Sequence, residues 1–555
     1  MCGKVKISTV TKPTILPTYS FAFSGKLKYS FLKRVKTNSS KWCQHSQSSA
    51  SALQPVRRRF GILLFLVVLG ATPATIAADS QLWAGAAKVD ITNREVGLVN
   101  DPLFVKALVI GNETTRAVII TVDAVAVAEI GSIRNDYVGN VRARLQKELK
   151  VVPANVMFNA SHCHGVPCRD VEERTVQAVK EAWSKVVPVT VGAGTGFENR
   201  VMENRRVKLK NGRDADVRQA YSFPADQEVA SVGPVDPEIG VLRLDRKSGG
   251  TLAVLYNFAM HPIQSVPNGG NSADVTGFAS KVIEENLGHG AIALFVQGCG
   301  GDINPFLYRE DAIPRDAEPL GNMLGLSTMR AVQKIETAET TAFKVINETL
   351  SLPRSDNAGR IKELEAEQLR LVRSLRGTYL NLKMYVPLVV RYNNSKDFPS
   401  SHAYRYMHDK MIGRIDMITL DAENRKRIEE YTRNIYIMEE LTRLQTNLAL
   451  LTKHQARNQA AGKTIEVEVM GIRVGDFRVV TFPGELTVQI GLNLKKASPH
   501  KLTFVAGYSN GYIYYSPTAE QLKNVGNAQE DSDCLLAPEW QALYEAKALD
   551  VLKRL

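Results

Sequence analysis

Apolar residues recur along this chain in two rhythms. Runs with a period of two or fully apolar character read as strands: "LWAGAAKVDIT" (82–92), then "FVKALVIGNETTRAVIITVDAVAV" (104–127), which reads as two strands around the turn "GNETT". "VVPANVMFNASHCHG" (151–165) reads as a buried strand with two histidines at its carboxyl end. "EIGVLRLDRKSGGTLAVLYNFAMHP" (238–262) reads as a hairpin turning at Gly249–Gly250 and ending at His261. "AIALFVQGCGGDINP" (291–305) is a strand that runs into a Gly-rich turn, and "TIEVEVMGIRVGDFRVVTFPGELT" (464–487) and "KLTFVAGYSNGYIYYSPT" (501–518) return to strands. Helical spacing predicts helices in 130–150, 169–186, 276–288 and 328–339. Residues from about 360 to 458 are rich in charge and helix formers, and predict a helical insertion, long helices paired as a hairpin. No internal repeat is visible. The pattern predicts a mixed α/β (α+β) domain over 79–555, its mixed β-sheets flanked by helices. In such folds ligands bind outside the carboxyl ends of strands.

The chain has 555 residues, 44% apolar and 23% charged, as in an ordinary soluble protein. Its net charge of +13 suggests nucleic acid until its distribution is read. Residues 1–79 hold twelve Lys and Arg and one acid, Asp79, which leaves 58 basic against 56 acidic side chains for the rest. A near-neutral body gives no electrostatic case for a nucleic-acid partner.

"RRRFGILLFLVVLGATPATIAADS" (57–80) has a basic start, an apolar run and small residues around Ala77 and Ala78. That layout predicts a signal peptide over 57–78 and a secreted or periplasmic protein. The alternative is a membrane anchor, since 60–78 is an uncharged stretch just long enough to span. Residues 1–56 are a basic, Ser-rich extension of doubtful origin. Only four of the six cysteines lie beyond the leader: Cys163, Cys168, Cys299 and Cys534. That is no disulfide scaffold, and the absence of CxxC spacing argues against a cysteine zinc site.

The candidate chemistry gathers where apolar strands break. His162 and His164 follow "VMFNAS", His261 follows "VLYNFAM", Glu485 follows "VVTFPG", and Tyr512, Tyr514 and Tyr515 sit in a Gly-punctuated turn. In an extended segment His162 and His164 would share a face, with Cys163 turned away. Dispersed His, His and Glu ligands are the usual recipe for catalytic zinc, which keeps one position open for water. The same residues also serve as hydrogen-bonded structural histidines and a turn-capping carboxylate, and spacing alone leaves both readings open. His289, His402, His408, His454 and His500 lack a strand-end context and read as structural or exposed.

These segments carry a resemblance. "NASHCHGVP", "NFAMHPIQS…SADVTGFAS", "FVQGCGGDINP", "FPGELT" and "SNGYIYYSPTAE" resemble, in order, the signature segments of the neutral, non-lysosomal ceramidase family, and "GAAKVDIT", "NRRVKLKNGR" and "GPVDPEIGVLRLD" resemble its broader bacterial branch. The resemblance implies a zinc amidohydrolase acting on a lipid or small-molecule substrate, with peripheral membrane contact compatible with that role. Its implied zinc ligands are His162, His261, Glu485 and Tyr515, with Tyr512 and Tyr514 as rivals for the last. It further implies that His164 faces the substrate carbonyl, that Arg205 is a polar contact, and that Asp302 belongs to the Gly-Asp turn. Four departures stand out, one being that a second tyrosine of the family's C-terminal segment has no clear counterpart in "QLKNVGNAQEDSDC". Asn304 occupies the position where the ceramidases present a serine, which removes an acyl nucleophile there. The continuation after "SHCHG" differs, and the family's C-terminal immunoglobulin-like domain is not expected. The metal frame is thus matched more closely than the substrate frame. The expected function is zinc-dependent hydrolysis of an N-acylated compound. A zinc hydrolase of an ester or carbohydrate-linked amide, or a non-catalytic binder on the same scaffold, is the alternative.

Overall fold

A computed structural model describes residues 81–219, 222–308, 310, 312–524 and 528–555. The expected extension (1–56) and leader (57–78) lie outside them. Two sheets carry the fold. The larger has eight strands in the order Ile292–Gln297, Thr251–Phe258, Glu238–Arg246, Val187–Phe197, Trp83–Asp90, Phe104–Gly111, Arg116–Val122 and Val156–Ala160. Its two outermost pairs are parallel and the pairs between them antiparallel. The smaller sheet runs Phe343–Pro353, Thr464–Val474, Phe477–Thr481, Thr503–Ala506, and its last pair is also parallel.

The period of two explains how these sheets stack. Leu108, Ile110, Ile119, Leu242, Leu255 and Leu294 point one way and bury against Met470, Ile472, Phe477, Val479 and Phe504 of the smaller sheet. Their neighbours point the other way. Val241, Val254, Tyr256 and Phe295 meet the helices Asp274–Leu287 and Ala317–Val332. Val105, Ala107, Val118 and Ile120 meet the helices Tyr137–Leu149 and Val171–Ser184. The C-terminal helix Trp540–Arg554 covers the outer face of the smaller sheet, where Gly471 leaves room for Val551. The result is the expected mixed α+β architecture, sheet packed on sheet with helices outside.

Between the strands Phe343–Pro353 and Thr464–Val474 lie the helices Ala358–Ser374, Leu382–Asn394, Tyr404–Met411 and Asp416–Ala461. Leu364 and Leu371 pack on Ile437, Leu444 and Leu451 to join the first to the last. Among the described residues no helix is long and apolar enough to cross a membrane. The helix expected over 328–339 instead starts at Ala317, where Asp316 caps the Glu318 N–H, and stops at Val332. At that end Arg243 donates to the carbonyls of Val332 and Ile335.

One side chain ties the sheets together at their carboxyl ends. Asn159 is fully buried, accepts the Gln297 N–H at 2.8 Å, and donates to the Gly507 carbonyl at 2.7 Å and Ser509 Oγ at 3.1 Å. Both edges of the large sheet and the loop leaving the small one are thereby pinned to one residue. Asn159→Ala leaves the buried Gln297 N–H unpaired, at about 1–3 kcal/mol, and takes a donor from the Gly507 carbonyl, which keeps only Ser509 Oγ. The expected outcome is a clear fall in the thermal midpoint; an unchanged midpoint would show that the link is not stabilising.

Candidate metal centre

The carboxyl ends of five parallel-paired strands converge at one place. They deliver His162 after Val156–Ala160, His261 after Thr251–Phe258, the "GCGGDIN" turn after Ile292–Gln297, Glu485 after Phe477–Thr481, and the tyrosine loop after Thr503–Ala506. Glu485 and Tyr515 are register partners in a short parallel ladder, and the Glu485 N–H donates to the Tyr514 carbonyl.

Among the described residues, His162, His261 and Glu485 form the one group of metal-binding side chains whose ligand atoms lie within 4.8 Å of one another. All three are buried. The His162 Nδ1–H donates to the Val125 carbonyl at 2.6 Å, and the His261 Nδ1–H to the Gly300 carbonyl at 2.6 Å. A carbonyl only accepts, so Nδ1 must carry the proton in both rings. Burial pushes both imidazoles below their usual range, His261 to about 3, where the Arg205 charge adds to the effect. Both are therefore neutral at pH 7, with bare Nε2 atoms. These face Glu485 Oε2, at 3.1 Å from His261 and 3.5 Å from His162. Burial opposes ionisation of Glu485, but the Tyr512 hydroxyl donates to its carboxyl and favours the carboxylate. Three acceptors thus converge with no proton between them, an arrangement that a cation relieves.

Four residues around the centre take left-handed backbone without being glycine: His162 at φ 66°, Tyr508 at 53°, Asn510 at 61° and Tyr514 at 65°. Such conformations cluster at functional sites. His162 shows the cost of reading the segment as extended. The strand ends at Ala160, the His162 N–H donates to the Ala124 carbonyl, and the chain turns. His162 points inward while His164 stays exposed at the rim, the two rings perpendicular with centroids 5.7 Å apart. The shared strand face expected for them does not form. Although its edge is open to solvent, partial desolvation in the cleft and the neighbouring His162 lower the His164 pKa to about 4.

The tyrosines divide the surrounding roles. Tyr512 donates to Glu485 Oε1, and Tyr508 to Oε2 at 3.2 Å. The Tyr515 hydroxyl lies 3.4 Å from His261 Nε2 and accepts from Arg205 at 3.1 Å and Arg218 at 3.0 Å. Tyr514 turns away and pairs with Arg457 of the long helix Asp416–Ala461. Tyr515 is therefore the rival placed to join the two histidines and Glu485 as a further oxygen donor.

Arg205 is buried and fully engaged. It donates to Glu530 at 2.5 Å, Asn304 Oδ1 at 3.1 Å, the Gly301 carbonyl at 2.6 Å and Tyr515. Arg206 completes the pairing with Glu530 and Asp531. The Asp302 carboxyl accepts the Val488 N–H at 2.8 Å at the start of the helix Val488–Ala497, and the Asn204 amide at 3.3 Å. It holds the turn in place, and burial raises its pKa to about 6. Asn304 is fully buried with its Nδ2 unpartnered. Of the four expected residues outside the ligand set, His164 lies against His162, Arg205 reaches the centre through Tyr515, Asn304 bonds Arg205, and Asp302 holds the turn. Sequence reasoning missed Tyr508, Arg218 and Glu530. Tyr508 ends an apolar strand, the signal used for the others. Arg218 and Glu530 carry no local signal, because their partners lie roughly 300 positions away.

No family model and no curated protein matches the chain. Solved structures do. A neutral ceramidase from Pseudomonas aeruginosa superposes with a TM-score of 0.52 at 17% identity, over 86% of this chain and 75% of that one. A ceramidase complexed with C2 gives 0.53 at 17% identity, over 86% and 76%. At this identity the likeness is one of fold, and the donor set stands on its own geometry.

The donor set predicts one tightly held divalent ion per chain. Elemental analysis after chelation and reloading should return about one equivalent. His261→Ala should weaken binding by more than about 100-fold, beyond the 10–100-fold lost when only an outer partner is removed. Binding unchanged by His261→Ala would place any metal elsewhere.

Proposed function

We propose that this protein is a zinc-dependent hydrolase of an amide bond in an N-acylated compound, with N-acylsphingosine the first substrate to try. The observation that carries the reading is the convergence of two bare imidazole nitrogens and a carboxylate, with a buried phenol beside them. Nitrogen and oxygen donors in that number suit zinc. The ceramidase-like fold supports the substrate class. The leader expected at 57–78 supports export to the periplasm or beyond.

When bound, zinc supplies Lewis acidity and lowers the pKa of water to about 7. The chain supplies the rest. His164, neutral at pH 7, offers an N–H to the oxygen of a substrate carbonyl held at the rim. Arg205 is anchored by Glu530 and steadies both Tyr515 and Asn304. The Asn304 amide cannot form an acyl intermediate, so its chemistry is restricted to hydrogen bonding. With Oδ1 held by Arg205, its buried Nδ2 has no partner and is the side chain's one unused donor. Water, not a side chain, is then the nucleophile.

The test is hydrolysis of a fluorogenic N-acylsphingosine. Turnover should vanish on chelation and return with zinc. His164→Ala should keep its zinc and lose about 100-fold in kcat, the scale of one missing oxyanion donor. A folded, zinc-loaded chain that hydrolyses no N-acylsphingosine and no other N-acyl amide would overturn the reading.

A further inference from the structure

A cavity of about 310 Å³ opens beside the metal centre, with His164 in its wall and Ala126, Ile130, Ser132, Val166 and Pro167 around it. It shares structure with the centre. Val125 lines the cavity, and its carbonyl receives the His162 Nδ1–H. Gly131 closes one side at φ 76°, where a Cβ would strike Val125 Cγ1 at 2.4 Å. Apart from His164, no residue of the lining is titratable. A neutral apolar wall rejects a charged group, because desolvating an unpaired charge is costly.

Resting on the amidohydrolase reading, we infer that this cavity houses the acyl group of the substrate and sets its useful length at about ten heavy atoms. The size follows from volume. At roughly 30 Å³ per heavy atom, the volume share of a liquid water, 310 Å³ holds about ten. The cavity is also at the small end of ligand sites, which run from about 300 to 1,000 Å³. An acyl chain lying here brings its carbonyl to His164 at the rim. Atoms beyond the tenth extend into solvent and gain no burial.

The experiment is a series of fluorogenic N-acyl amides with one leaving group and acyl chains of increasing length, given to the zinc-loaded full chain and to Ser132→Phe. Ser132 is exposed at the mouth, so the larger ring narrows the cavity without entering the core. In the wild type kcat/KM should rise by up to about fourfold per methylene, from about 0.8 kcal/mol per buried CH₂. It should level off near ten carbons, and Ser132→Phe should move the plateau to shorter chains. A profile that is flat throughout, or that climbs alike in both proteins to long chains, overturns the proposal. Calorimetry with decan-1-ol separates it from the reading on which it rests. Binding that weakens in Ser132→Phe, with no turnover of any amide, keeps the pocket and removes the amidohydrolase. Turnover with no dependence on chain length does the reverse.

Discussion

Two backbone carbonyls, those of Val125 and Gly300, decide the chemistry of the buried centre. Each takes the Nδ1 proton of a histidine at 2.6 Å and so leaves Nε2 bare, facing Glu485. Fixing a tautomer through the remote nitrogen is how proteins orient metal-binding imidazoles. Here the fixing groups are main chain, set by the loops that follow two strands, so the centre depends on where those loops turn. The positive φ of His162 and the Gly-rich turn around Gly300 are the local expression of that constraint.

The rest of the fold holds those turns still. Asn159 gathers the edges of the large sheet and the tyrosine loop. Asp302 fixes the Gly-Asp turn to the start of the helix Val488–Ala497. Arg205 and Arg206 bind Glu530 and Asp531 in a network of buried charges. Such networks add little stability in themselves, since desolvation offsets attraction, but removing one member leaves a buried charge exposed to no partner. The helix Asp416–Ala461 adds a brace from outside: His454 bonds Asp533 at 2.6 Å, whose carbonyl receives the Tyr515 N–H.

Much of this was legible in the sequence because strand ends are marked by abrupt changes from apolar runs to Gly, Pro and polar residues. His162, His261 and Glu485 were found that way, and the structure brings them together. Asn304 and Asp302 came with the Gly-rich turn. The strand Phe343–Pro353 was illegible because Lys344, Asn347, Glu348 and Thr349 interrupt its alternation, although Ile346, Leu350 and Leu352 do pack on the core. The end of the helix at Val332 was illegible because the carbonyls there are taken by Arg243, on a distant strand. The relation of His162 to His164 was misread for a physical reason: alternation holds only while the strand lasts, and it ends two residues before His162. Tyr515 could not be told from Tyr514 by pattern, and only the partners Arg205, Arg218 and Arg457 separate them.

The central claim is that three converging acceptors hold a metal. The most direct test is anomalous diffraction at the zinc edge from crystals of the zinc-loaded protein. The account predicts a single strong peak about 2.0–2.2 Å from Nε2 of His162, Nε2 of His261 and a carboxylate oxygen of Glu485. A peak at other side chains, with these three left facing one another, would contradict it.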